Sequence, residues 1–224
     1  EYRFDGLHCI LLYGGKEWTC HIPVGYDGSN LRFCHLLLVR VLALFLVDNG
    51  IIILLQIFIG KGNLYNGVRT ELIGKRASTN MDIGYLGQKK QVIDINLVVN
   101  HIGKKTNCNI QVDGTLKDAA EKIFRGSIDF KTGSSDSKGA ETENVLLLGD
   151  DVVNKTIPLI LCAEENVEGS HGATIGELDE DTLFYFASRG IDMETAEDMM
   201  TKGKMEVLYR KIQDEDTEKL VEKQ

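Results

Sequence analysis

Proline is nearly missing from this chain of 224 residues, which has 2 prolines against 23 glycines. That scarcity excludes proline-rich linkers and polyproline segments, and it favours repeated tight turns in which glycine supplies positive φ. Cysteine is also scarce. Cys9, Cys20, Cys34, Cys108 and Cys162 form an odd set of five without paired motif spacing. This argues against a disulfide framework and for a reducing, cytoplasmic setting. Positive charge is in deficit as well. A formal charge of -9 disfavours binding to nucleic acid or to an anionic membrane surface. The acidity sits at one end: residues 1–130 carry 15 basic and 12 acidic side chains, and residues 131–224 carry 10 and 22. Such a surface suits solubility first, and then a partner with a basic docking face or a metal-collecting role. The chain begins at Glu1, so the sequence is silent on a cleaved targeting segment.

A long hydrophobic run is the next thing lacking. Residues 33–59 are rich in Leu, Ile and Val, yet the longest wholly apolar stretch is residues 41–47, and Asp48-Asn49-Gly50 interrupts it. A membrane-spanning helix needs about 20 continuous apolar residues. Two buried strands around a tight turn are expected instead.

What is present reads as many short strands. VRTELIG, VIDINLVVNH, NCNIQVDGTL and KIFRGSIDF are apolar or alternating pieces with turn signals about every ten residues. The glycines of GKGNLYNG lack the strand–loop–helix context of a phosphate loop and read as turn glycines. Residues 131–144 are small and polar and are expected to form a surface loop, followed by buried strands in VLLLGDD and TIPLILCAEENVEG. After Gly176 the period changes to that of helices. One helix starts at Asp179, carries Leu183, Phe184 and Phe186, and stops at Gly190. A second is capped by Asp192 and closed at Gly203, and a third places Met205, Leu208 and Ile212 on one face. The expected division is a strand-rich body over residues 1–176 and a helical unit over residues 177–224.

Reactive side chains are few, and their spacing is uninformative. His8-Cys9, Cys20-His21 and Cys34-His35 hold metal-ligating types, but no CxxC or HxxxH pair exists, and neighbours on a strand face opposite ways. GxSxG, HExxH and a Walker loop are absent. No spacing singles out a carboxylate pair for glycoside cleavage.

The most specific string is SHGATIGELDEDTLFYFASRGI, preceded by PLILCAEENVEG from Pro158 onward. Upstream, in order, stand His101 with Thr106, then GTLKDAAEKIFRGSIDF, the polar stretch and LLLGDD. This arrangement resembles the C-terminal part of the SufB/SufD family of iron-sulfur cluster assembly scaffold proteins. The resemblance covers residues 92–212 closely and 60–91 loosely; residues 1–59 do not match well.

The resemblance implies a mainly β fold, a right-handed parallel β-helix followed by a small α-helical domain. It also implies a cytoplasmic, non-enzymatic scaffold that works with the ABC-type ATPase SufC, a sulfur donor and a second SufB/SufD-type subunit. A transient iron-sulfur cluster, of the 4Fe–4S type, would be built on it from iron and sulfide. In the family pattern Cys162 falls where SufB-type members carry a functional cysteine, and His171 on the functional histidine of both branches. Leu183, Phe184, Tyr185, Ser188 and Arg189 fall in the segment that docks on the ATPase. Thiolate and imidazole suit iron and sulfur chemistry. The chain departs from both branches: Ser170 and Gly172 replace the acidic neighbours of SufB-type members, and Gly169 replaces a SufD-type cysteine. It resembles a hybrid that could pair with itself, since two chains would bring the four ligands that such a cluster takes. Two alternatives stay open. One is a family adaptor that only positions the ATPase; the other is a β-helix enzyme acting on carbohydrate, which would be indifferent to Cys162.

Overall fold

The computed structural model describes residues 6–13, 16–23, 37–60 and 62–211. Cys34, His35 and Ile212 lie outside the described residues. The chain runs through β1 (Gly6–Tyr13), β2 (Lys16–Pro23), β3 (Leu37–Leu46), β4 (Ile51–Ile59), β5 (Asn63–Leu72), β6 (Ser78–Gly87), β7 (Val92–His101), β8 (Asn107–Lys117), β9 (Glu121–Phe130), β10 (Ser137–Leu148), β11 (Val153–Cys162) and β12 (Val167–Gly176). Two helices follow, α1 (Glu180–Ser188) and α2 (Met193–Tyr209).

Strands β1 and β2 pair antiparallel. From β3 onward every pairing is parallel, and consecutive strands fall in alternate sheets, ordered β11-β9-β7-β5-β3 and β12-β10-β8-β6-β4. The result is a β-solenoid of about five turns, each made of one strand from each sheet.

Alternation along each strand creates the interior. In β9, Lys122, Phe124, Gly126, Ile128 and Phe130 are buried, and the residues between them are not. Parallel register then stacks like positions between turns, so Val99, Ile128 and Ile160 form one column and His101, Phe130 and Cys162 another. Burying both the apolar columns and the strand hydrogen bonds is what stabilises a stack of rungs that none could sustain alone.

The corners recur with the rung. Asn49, Arg76, Lys105 and Asp136 hold positive φ at one corner, and Lys89 and Asp118 at the other, where Gly149 ends the series. Side chains staple neighbouring corners 27–31 residues apart: Asn49 Oδ1 accepts from Arg76 Nε at 2.8 Å, and Asp118 Oδ2 accepts from the Lys89 amide at 2.7 Å. Asn and Asp tolerate this conformation and hydrogen-bond locally, which accounts for Asn49, Asp118 and Asp136 without glycine.

The expected role of glycine as turn-former is corrected at several described positions. Gly114, Gly126 and Gly139 lie inside strands, where a Cβ would collide with Tyr85, Glu141 and Ile128 respectively. Asp48-Asn49-Gly50 forms the expected turn between two strands, and it carries the chain from one sheet to the other. Two further expectations change. The polar stretch of residues 131–144 is a loop only at its start; Ser137 to Asn144 belong to β10, because Ser137, Gly139, Glu141 and Glu143 alternate into the interior and continue the period of VLLL. Gly203 does not end a helix. Helix α2 runs through it, since Met205 and Leu208 must stay in phase to bury against the solenoid over Gly84.

The first helix follows expectation. Asp179 caps α1 by accepting from the Thr182 amide at 2.6 Å, and Gly190 with φ +76 terminates it. Asp192 caps α2 through the Thr195 amide at 2.8 Å. Both cap carboxyls are held below their usual range by these backbone donors. Lys117 ties α2 to β8 through Asp198 at 2.8 Å and Glu197 at 3.7 Å. No described helix is long and apolar enough to cross a membrane.

Candidate functional site

The last turn of the solenoid, β11 with β12, is the one with nothing stacked above it among the described residues. Its strands keep the alternation of the turns below, so Thr156, Pro158, Ile160 and Cys162 point inward from β11, above Phe124, Gly126, Ile128 and Phe130. From β12, Val167, Gly169, His171, Ala173 and Ile175 point inward above Ser137, Gly139, Glu141, Glu143 and Val145. Without a sixth turn these inward positions stay accessible. Cys162 is exposed, and the His171 side chain is 24% exposed.

Cys162 and His171 thus share one open rung, but they do not touch. Ile160 lies across from Gly169, and the Glu141 carboxylate beneath His171 reaches the space in front of Gly126, beneath Pro158. His171 therefore stands across from Pro158, four residues from Cys162. At about 3.3 Å per residue this separates them by about 13 Å along the strand. One chain does not bring the pair to a single metal ion, and no cluster of three metal-ligating side chains exists among the described residues.

Around His171 the interior is polar. Glu141 Oε1 lies 3.1 Å from His171 Nδ1, and its side chain is 2% exposed. Burial pushes the Glu141 carboxyl up, opposed by the neighbouring imidazole. Glu143 forms a fully buried ion pair with Lys122 and accepts from Thr156 Oγ1 at 2.6 Å. Burial lowers the Lys122 ammonium from its ordinary value, and Glu143 opposes that shift. Around Cys162 the interior is apolar, with Phe130 below and Ile160 beside it. The open rung therefore has a polar half and an apolar half.

Glu141 and Glu143 carried no signal as loop residues. Reading residues 137–148 with period two, Ser-x-Gly-x-Glu-x-Glu-x-Val leading into the apolar end, would have placed both carboxylates on the inner face.

A second Cys/His pair lies deeper. His101 Nε2 is 3.3 Å from Cys108 Sγ, and Nδ1 is 2.7 Å from Thr106 Oγ1, all buried. Burial pushes the Cys108 thiol up to about 12 and the His101 imidazole down to about 4. A neutral thiol beside a neutral ring is inert, so this pair packs the core. In β1 and β2, His8 is in register with His21, and Cys9 with Cys20.

The expected docking residues lie on α1, which has no buried residue, and at its C-cap, Arg189. Phe184 is 75% and Tyr185 54% exposed. Arg189 lies over the Tyr185 ring at 4.7 Å, and Ser188 Oγ donates to the Tyr185 carbonyl at 2.7 Å. Leu183, Phe184 and Ala187 meet Ile191, Met193 and Ala196 in a shallow apolar groove between the helices.

A parallel solenoid with an open, Cys- and His-bearing last turn and an outlying helical pair defines the class. Residues 41–204 match the family described as SUF system FeS cluster assembly, SufBD core domain. The chain belongs to that family. It is 27% identical over 216 residues to the iron-sulfur cluster assembly protein SufD of Escherichia coli (strain K12), covering 95% of this chain and 49% of that one. The SufD protein of Bacillus subtilis (strain 168) is 29% identical over 134 residues, 60% of this chain and 31% of the relative. A chloroplastic SufBD family protein of Arabidopsis thaliana is 30% identical over 125 residues, 56% and 22%. The chain spans half or less of the length of these relatives. The family match begins at residue 41, so it reaches into the segment that sequence reading left unmatched.

Proposed function

We propose that this chain is a scaffold of iron-sulfur cluster assembly, on which a cluster is built as cargo at the open last rung and passed on to acceptor proteins. The observation that carries this reading is the placement of Cys162 and His171 on the same accessible inner face, while the His101/Cys108 pair is sealed in the core. A thiolate can take sulfur and bind iron, and an imidazole can complete an iron shell.

Pairing with a second solenoid follows from the same rung. The free edges of β11 and β12, and the exposed Ile157, Leu159 and Leu161, call for a cover. Cys162 ends β11 and His171 lies midway along β12, so a two-fold axis between the two positions would set Cys162 of one protomer against His171 of its partner. Two copies, or one copy and a paralogue, would then supply four ligands. The apolar, unburied face of α1 with Leu183, Phe184, Tyr185, Ser188 and Arg189 suits a SufC-type ATPase, whose movement would open and close the paired rungs.

The test is anaerobic iron and sulfide reconstitution with the ATPase present, read by visible absorption and iron content. Cluster loading is expected for the native chain and is expected to be lost in Cys162→Ala and in His171→Ala. Equal behaviour of all three would favour an adaptor that only positions the ATPase.

A further inference from the structure

We infer that Glu141 is the positioning residue of His171, holding its Nδ1 so that only Nε2 faces the open end of the rung. This deepens the scaffold reading and rests on it for the use of the ring, though not for the geometry.

Three observations support it. The Glu141 carboxylate lies 3.1 Å from Nδ1, in the parallel register that stacks β10 directly beneath β12. Its side chain is 2% exposed, so it is shielded from water that would compete for the ring. The carboxylate also occupies a socket in the facing sheet, where any Cβ on Gly126 would overlap it. Gly126 therefore sets where the carboxylate lies, and the carboxylate sets the ring. Glu143 cannot take over this role, because its oxygens are engaged by Lys122 and Thr156.

The chemical consequence concerns which nitrogen is free. With Nδ1 engaged inside the solenoid, an incoming metal or partner group meets the Nε2 lone pair alone. Carboxylates behind metal-binding histidines act in this way, and their removal typically costs about 10–100-fold in metal affinity. Neither Glu141 nor Gly126 is expected to touch the cargo.

The test is long-range proton–nitrogen correlation NMR on the full chain labelled at histidine, with His171→Asn assigning the signal. In the native chain, His171 is expected to carry its proton on Nδ1. In Glu141→Ala, and in Gly126→Ala where the new methyl displaces the carboxylate, the ring is expected to shift toward the Nε2–H form that histidine favours in water. The His101 signal should stay unchanged and thereby report an intact core. Glu141→Gln keeps an acceptor and should restore part of the native tautomer. An Nε2–H ring in the native chain, or one tautomer across all variants with the core intact, overturns the inference. Iron loading of the same proteins separates the two levels. If the tautomer follows Glu141 while loading ignores His171→Asn, the ligand role of His171 in the scaffold reading falls and the positioning role stands. If loading needs His171 but the tautomer ignores Glu141, the reverse holds.

Discussion

The solenoid contains two Cys/His sites built from the same parts in different places. His101 and Cys108 sit in closed turns, 3.3 Å apart and buried; His171 and Cys162 sit in the last turn, apart and accessible. Both pairs obey one inward alternation, and Cys162 even stacks in the same column as His101, two turns above it. Position along the stack, not residue type, decides which pair is accessible. A covering rung desolvates a thiol and an imidazole into neutral, inert forms, and its absence leaves them available.

The largest effect expected from breaking this contrast lies in the buried ion pair that supports the open rung. Glu143→Leu strands the Lys122 ammonium in the interior and should cost about 3–5 kcal/mol in denaturant unfolding, as buried pairs do when one partner goes. The double change Lys122→Met with Glu143→Leu should recover most of that loss. A Glu143→Leu protein as stable as the native one would show that the pair is not closed off from water.

Next comes one side chain in two adjacent turns. Ile128 is 1% exposed and Ile160 stacks directly on it in the open rung. Ile128→Ala should cost about 2–5 kcal/mol, and Ile160→Ala clearly less, because its site lacks a covering layer. Equal losses would mean that the last turn is covered in solution.

The third effect concerns acid. His101 titrates at about 4 in the folded chain against 6.5 unfolded, chiefly through burial. The unfolded state then binds the extra proton first, so the contribution is complete above pH 6.5 and is lost as pH falls from there toward 4. A shift of this size is worth about 3 kcal/mol. His101→Asn should flatten that part of the stability–pH curve. An unchanged slope would place the acid sensitivity elsewhere.

The smallest effect is expected on the outer face of β11. Leu159→Ser should alter stability by about 0.5 kcal/mol or less, yet reduce self-association measured by sedimentation. A large loss of stability with no change in association would assign Leu159 to the fold and not to an interface.

How much of this was legible follows from where the chain follows simple periods. The strands over residues 92–130 and the caps at Asp179 and Asp192 stood out, because alternation and capping chemistry are local signals. The corners did not. They use Asn, Arg, Lys and Asp in the left-handed region, and their regularity of 27–31 residues appears only once turns are stacked. Glycine misled in the same way, since Gly114, Gly126 and Gly139 make room for side chains across the interior, which no local pattern encodes. Cys162 and His171 were singled out by a family string, and their accessibility came from the fold. Glu141 was hidden because a polar strand in a polar stretch looks like a loop until its neighbours are in register.

The central claim is that the open rung, and not the buried pair, handles the cargo. Its most direct measurement is peptide-resolved alkylation of the native protein before and after anaerobic loading with iron and sulfide. The expected result is that Cys162 is labelled in the unloaded protein and protected when loaded, while Cys108 stays unlabelled in both until the chain is unfolded. Equal labelling of Cys162 in the two states would contradict the account.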